Sequence, residues 1–108
     1  MARPIKEGFP KWNPQRTTIF VINLSDIKLK YKKLRNSSSA FIKRKDVKDY
    51  IFKRDNYKCV LCGGKKNLQV DHIHSVWEVV HNKYPLELLN TEGNLQILCK
   101  KCNAGKSP

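Results

Sequence analysis

Two Cys-x-x-Cys pairs, Cys59/Cys62 and Cys99/Cys102, enclose an Asp71-His72 dipeptide, and the second pair runs directly into Asn103. Four thiolates at this spacing can hold one structural metal ion. A chain closed around that ion brings a carboxylate, an imidazole and a carboxamide from distant positions into one place. A set of that kind can cleave a phosphodiester.

The elements that position these groups are partly readable. Val47, Tyr50, Ile51 and Arg54 recur at i, i+3, i+4 and i+7, which predicts a helix from about Lys45 to Asp55 leading into the first cysteine pair. Cys59-Val-Leu-Cys62-Gly63-Gly64 has the form of a zinc knuckle, in which glycine allows a positive backbone angle just after the second thiolate. Leu68-Gln69-Val70 alternates as a strand ending at Asp71-His72. Because those two residues would face opposite ways in an ideal strand, the backbone is expected to leave strand geometry there. Ser75-Val-Trp-Glu78 is a capping-box pattern that starts a short helix from Val76 toward Asn82. Asn94 to Leu98 reads as the return strand, with a final helix opening at the second cysteine pair.

The amino-terminal part is less defined. Residues 1–16 carry Pro4, Pro10 and Pro14, which suits a loosely ordered arm. Thr17 to Ile22 reads as a short strand, and Ser25-Asp26 as the cap of a helix through about Arg35, although a strand also fits Lys28 to Leu34. Asn36-Ser-Ser-Ser39 reads as a linker. The expected division is a basic segment over residues 1–39 and a metal-stapled domain over 40–108.

Net charge is +13, with 15 Lys/Arg against 4 Asp/Glu in residues 1–54 and 7 against 5 in residues 55–108. So uneven a field attracts polyanions, nucleic acid first among them; the bland alternative is a solvated face. Lys53 and Arg54, and Lys100 and Lys106 near the last helix, are the candidate phosphate contacts. No apolar run reaches the length of a membrane span, and the first residues do not read as a secretory leader. The expectation is a cytoplasmic protein with reduced cysteines, for which zinc is a better reading than disulfides.

Thirty-six residues separate Cys62 from Cys99, more than a simple zinc ribbon has, so a sub-structure containing Asp71-His72 must lie between the knuckles. In KRDNYKCVLCGG, LQVDHIHS and EGNLQILCKKCNAGK the chain resembles the HNH endonucleases, in the branch whose ββα-metal finger is stapled by four cysteines. The resemblance covers roughly Lys53 to Lys106. It implies an α+β, treble-clef-like domain in which Cys59, Cys62, Cys99 and Cys102 bind structural zinc. It further implies that Asp71 and Asn103 hold a catalytic divalent ion, that His72 is the general base, and that Asn94 anchors the loop that aims His72. The long segment between His72 and Asn94, with Trp77, His81 and Tyr84, departs from the pattern.

The implied roles fit the residue types. An anionic phosphodiester needs a deprotonated water and a cation to offset charge on the phosphate and the leaving 3′ oxygen. A neutral imidazole, of ordinary pKa about 6.5, can accept that proton near pH 7. Oxygen donors alone favour Mg²⁺ or Mn²⁺. The expected partner is DNA, in double-stranded form by the resemblance. A module that binds zinc and nucleic acid without cleaving it is the competing reading. His74 and the two tryptophans, Trp12 and Trp77, are expected to pack.

Overall fold

A computed structural model describes residues 8–12 and 26–106. In chain order its elements are helix α1 (Ile27–Ile42), helix α2 (Lys45–Arg54), strand β1 (Leu68–His72), helix α3 (Val76–Val80), two 3₁₀ turns (Leu86–Leu88 and Glu92–Asn94), strand β2 (Leu95–Cys99) and helix α4 (Lys100–Ala104). The class is α+β, as expected.

α1 begins where Asp26 accepts from the backbone amides of Lys28 and Leu29, at 2.9 and 3.3 Å, which satisfies two of the helix's orphan donors. It does not stop at Arg35. Asn36–Ser39, expected to form a linker, are helical, and α1 crosses the boundary expected at residues 39/40. The buried face explains this: Leu34, Ser38 and Phe41, at i, i+4 and i+7, are at most 3% exposed. Burying Leu34 and Phe41 stabilises by about 1.5–3 kcal/mol each. The weak helix propensity of Ser and Asn costs only about 0.5 kcal/mol per residue, so packing wins. The strand expected at Thr17 to Ile22 lies outside the described residues.

α2 matches its sequence pattern. Val47 and Ile51 are fully buried, in a cluster with Phe41, Val70, Leu95 and Ile97. Part of the segment expected to be a loose arm packs on this cluster: the Phe9 ring meets Tyr50 edge-on at 5.0 Å and Phe41 at 6.3 Å. Trp12 touches this cluster and a second one, formed by Leu34, Val76, Val79 and Leu89. α1 and the long insertion after His72 therefore cover each other's apolar faces.

β1 and β2 pair antiparallel in register Leu68↔Cys99 through His72↔Leu95. The backbone stays in strand geometry through Asp71-His72, because Leu95 offers a ladder partner opposite His72. The expected departure comes one residue later, where the Ile73 amide donates to the Asn94 carbonyl at 2.8 Å. The Ser75/Glu78 capping box is formed and starts α3. Trp77, expected to bury apolar area, is 40% exposed. Its ring lies against His81, 4.0 Å between centroids, with the Lys83 ammonium 5.1 Å away. Among the described residues no helix is long and apolar enough to cross a membrane.

Candidate functional site

The first cysteine pair sits on a tight turn after α2. The Gly63 amide donates to the Cys59 carbonyl and the Cys59 amide to the Gly64 carbonyl, at 2.9 and 2.8 Å. Gly63 has φ +75°, and a Cβ on Gly64 would lie 3.3 Å from Cys62 Sγ. Both positions thus favour glycine, the first for its backbone angle and the second for space. The second pair is set by the end of β2, where Cys99 caps α4 and its Sγ accepts from the Cys102 amide at 3.4 Å. The Val60 amide donates to the Ile97 carbonyl at 2.9 Å and draws the two turns together.

All four sulfurs lie within 4.8 Å of one another, with Cys62 and Cys99 Sγ 3.7 Å apart. Tetrahedral coordination with bonds of about 2.3 Å requires sulfur–sulfur edges of about 3.8 Å. The donor set therefore fits a metal ion such as zinc. The titration of the cluster points the same way, since four thiolates cannot coexist there without a cation. Burial raises the Cys59 thiol, but backbone amides at Cys62, Cys99 and Leu61 outweigh it and bring it down to about 6. Cys102, crowded by the sulfurs of Cys99, Cys59 and Cys62, is pushed up to about 12.

Asp71 and His72 line one open cleft of about 210 Å³, walled on the far side by Tyr31, Arg35, Ser39 and Ile42 of α1 and closed below by Lys106. The Asp71 carboxylate, 15% exposed, accepts from the Lys106 ammonium at 2.6 Å and from Gln96 Nε2 at 3.2 Å. The same ammonium also bonds the His72 carbonyl. Lys106, expected at a phosphate, is thus the cation against Asp71. Asn103 is not in the cleft lining: its Nδ2 donates to Gln69 Oε1 at 2.6 Å. Gln69 is one strand repeat from Asp71, roughly 7 Å along β1.

His72 is turned inward at one edge of its ring. Nε2 lies 2.7 Å from Asn90 Oδ1 and 3.0 Å from Ser38 Oγ, and the Ser38 hydroxyl donates to Asn90 Oδ1 at 2.9 Å. Burial holds the imidazole pKa below its ordinary 6.5, with Lys106 pushing the same way against the Asn90 hydrogen bond and the Asp71 charge. A ring so placed is neutral at pH 7.

Asn94, 1% exposed, fastens the turn that follows His72. Its Oδ1 accepts from the His74 amide at 2.8 Å, and its Nδ2 donates to the carbonyls of His74 and Leu89 at 3.0 and 2.8 Å. One amide thereby satisfies both backbone groups of His74, while the His74 ring stacks on Tyr84 at 4.2 Å and meets Glu78 at 3.0 Å.

The basic residues divide. Lys53 and Lys100 are exposed. Arg54, expected beside them on a nucleic-acid face, turns inward instead. It pairs in bidentate fashion with Asp55, both contacts 2.9 Å, and donates to the carbonyls of Glu92 and Leu95 at 2.6 Å. With the side chain only 13% exposed, its donors tie α2 to β2 and do not face solvent.

Sequence reasoning missed Ser38 and Asn90 altogether. A signal existed for Ser38: Tyr31, Leu34, Ser38 and Phe41 share one helical stripe, and a lone polar residue on an apolar stripe asks for a buried partner. Asn90 carried none, because its role depends on how the insertion folds back.

Comparisons with known proteins bear on this geometry. The family model described as HNH endonuclease matches residues 59–108, a stretch that holds the four cysteines, β1, the insertion, β2 and α4. The chain is also similar to a protein of Lactococcus phage SK1 described as a probable HNH endonuclease, 41% identical over 64 residues, which are 56% of this chain and 65% of that relative. The match thus spans just under two thirds of the relative's length. No solved structure matches the chain significantly.

Proposed function

From the premise that residues 59–108 form an HNH endonuclease domain, we propose that the protein is a metal-dependent endonuclease that hydrolyses DNA phosphodiester bonds with water activated by His72. The observation that carries the proposal is the cleft in which a neutral imidazole and a half-buried carboxylate stand side by side. The carboxylate is already matched with a cation, the Lys106 ammonium, so its surroundings accept positive charge. Asp71 would supply one hard oxygen to a divalent ion, and Asn103 would supply a second if its amide turned from Gln69. Bound there, Mg²⁺ or Mn²⁺ would offset charge on the phosphate and on the leaving 3′ oxygen. With that ion in place, Lys106 would be free to meet a phosphate oxygen.

His72 takes the proton from water and, being neutral at pH 7, can do so without first losing one of its own. Asn94 keeps the turn after His72 from shifting, and Lys53 and Lys100 offer exposed charge to the DNA backbone. The four cysteines hold structural zinc in a treble-clef-like arrangement, which keeps β2 and α4 against the first knuckle. The substrate is double-stranded DNA, cut one strand at a time by one site. A reducing compartment, the cytoplasm, suits four free thiols.

The test is a supercoiled-plasmid assay with the full chain and its His72→Ala variant, in Mg²⁺, Mn²⁺, Ni²⁺ or chelator. Nicking or linearisation by the wild type that needs the divalent ion and falls about 10²- to 10⁴-fold in the variant supports the proposal. A mere mobility shift, equal in both proteins, would mean a binding module without catalysis.

A further inference from the structure

The polar cluster behind His72 lies partly outside the HNH-matched residues. Ser38 comes from α1 and Asn90 from the insertion, and they are fully buried and 4% exposed. Each stands where an apolar residue would pack more cheaply: Ser38 on the Leu34/Phe41 stripe, and Asn90 directly after the fully buried Leu89. Burying a hydroxyl and an amide costs free energy unless they are hydrogen-bonded. The Ser38 hydroxyl, the Asn90 carbonyl oxygen and one nitrogen of one ring bond one another, with all three distances between 2.7 and 3.0 Å, while the Asn90 amide nitrogen has no partner among the described residues.

Resting on the nuclease reading, we propose that Ser38 and Asn90 are positioning residues that fix both the orientation and the tautomer of His72, so that Nδ1 is the edge that accepts the proton from water. The donors and acceptors lead to this assignment. Asn90 presents its carbonyl oxygen to the ring and already accepts from the Ser38 hydroxyl. The only partner that complements the oxygen at 2.7 Å is an N–H, so Nε2 carries the hydrogen. In a neutral ring the other nitrogen then bears the lone pair. Nδ1 makes no hydrogen bond among the described residues, and the ring lines the cleft.

A free imidazole can flip about its last torsion and exchange tautomers, and either change removes the base from its place. One Nε2–H shared between Asn90 Oδ1, the nearer acceptor, and Ser38 Oγ opposes both changes. α1 thereby serves the reaction without touching substrate through Ser38: it supplies the rear support of the general base.

The test is the protonation pattern of the His72 ring in full-length, zinc-loaded protein labelled with ¹⁵N-histidine, read from long-range ¹H–¹⁵N correlations at pH 8. A His72→Gln variant identifies the signals among the three histidines. The expected result is a protonated Nε2 and a bare Nδ1 in the wild type. Asn90→Asp, which can only accept, keeps that pattern, whereas Ser38→Ala and Asn90→Leu give a mixed one. In the plasmid assay the last two variants lose about 10²-fold in kcat with KM little changed, and Asn90→Asp retains most of its activity. A wild-type ring protonated at Nδ1, or a pattern untouched by both Ser38→Ala and Asn90→Leu, overturns the proposal. The ring signals are read without turnover, so a wild type that cuts no DNA counts against the nuclease reading alone. Ser38→Ala, a small change inside a long helix, keeps the comparison available if Asn90→Leu does not fold.

Discussion

At the scale of the residue, the role proposed for His72 would couple function to pH. Burial lowers its pKa, so between that lowered value and about 6.5 the unfolded chain binds a proton that the folded ring refuses. The sign follows: stability is fully present above pH 6.5 and falls as the medium is acidified toward the folded pKa. Urea denaturation from pH 8 to 5 should show that decline, and His72→Gln should flatten it. With His72 as the proposed base, the rate of cleavage should hold its plateau down to a pH below 6.5, where the ring is still neutral. Arg54 and Lys100 separate structure from binding. Arg54→Ala removes a partly buried ion pair and two carbonyl contacts, which should cost about 3 kcal/mol of stability and leave the salt dependence of DNA binding unchanged. Lys100→Ala should do the reverse, leaving stability within about 0.5 kcal/mol. It should also reduce the slope of log affinity against log salt by about 0.9. Equal salt slopes for Lys100→Ala and wild type would remove Lys100 from the DNA surface.

At the scale of the element, α1 and the insertion after His72 stand or fall together. Leu34 is 1% exposed and is surrounded by Val76, Val79 and Leu89. Leu34→Ala should therefore cost about 2–5 kcal/mol. Because α1 also forms one wall of the cleft, activity should fall along with stability. Thermal melts paired with cleavage rates would check this; a destabilised variant of full activity would mean that α1 only covers the core. The helix was half legible in the sequence. Asp26 advertised its start, but Asn36–Ser39 looked like its end, because propensity is local and the burial of Leu34 and Phe41 that overrides it is not. The 3.6-residue pattern of α2 and the alternation of β1 were readable for the opposite reason, since each buries a face that its own spacing already marks.

At the scale of the whole molecule, the cysteine cluster fixes where the two ends of the HNH-matched stretch meet. A structural zinc contributes an apparent ~10 to 16 kcal/mol in small finger peptides, more than the net stability of many domains of this size. Removing the metal with a strong chelator, or changing Cys99 to serine, should therefore unfold the segment around β1, β2 and α4, seen as loss of far-UV ellipticity and of amide protection there. Metal analysis of purified protein should find about one zinc per chain. Retained structure in a metal-free protein would show that the apolar clusters suffice without it.

Some of this was decided by the residues alone. Two Cys-x-x-Cys pairs, an Asp-His between them and an asparagine after the second pair carry their chemistry in side-chain type and spacing, so the four-cysteine cluster and the HNH resemblance were legible in the sequence. Which groups then face one another was not. That Lys106 sits against Asp71, that Asn103 bonds Gln69, that Arg54 turns inward and that Ser38 meets His72 across 34 positions all depend on packing between segments far apart in the chain. Spacing along a backbone reports only neighbours within a turn or two, and the partners of a buried polar group are chosen by whatever the fold brings alongside it.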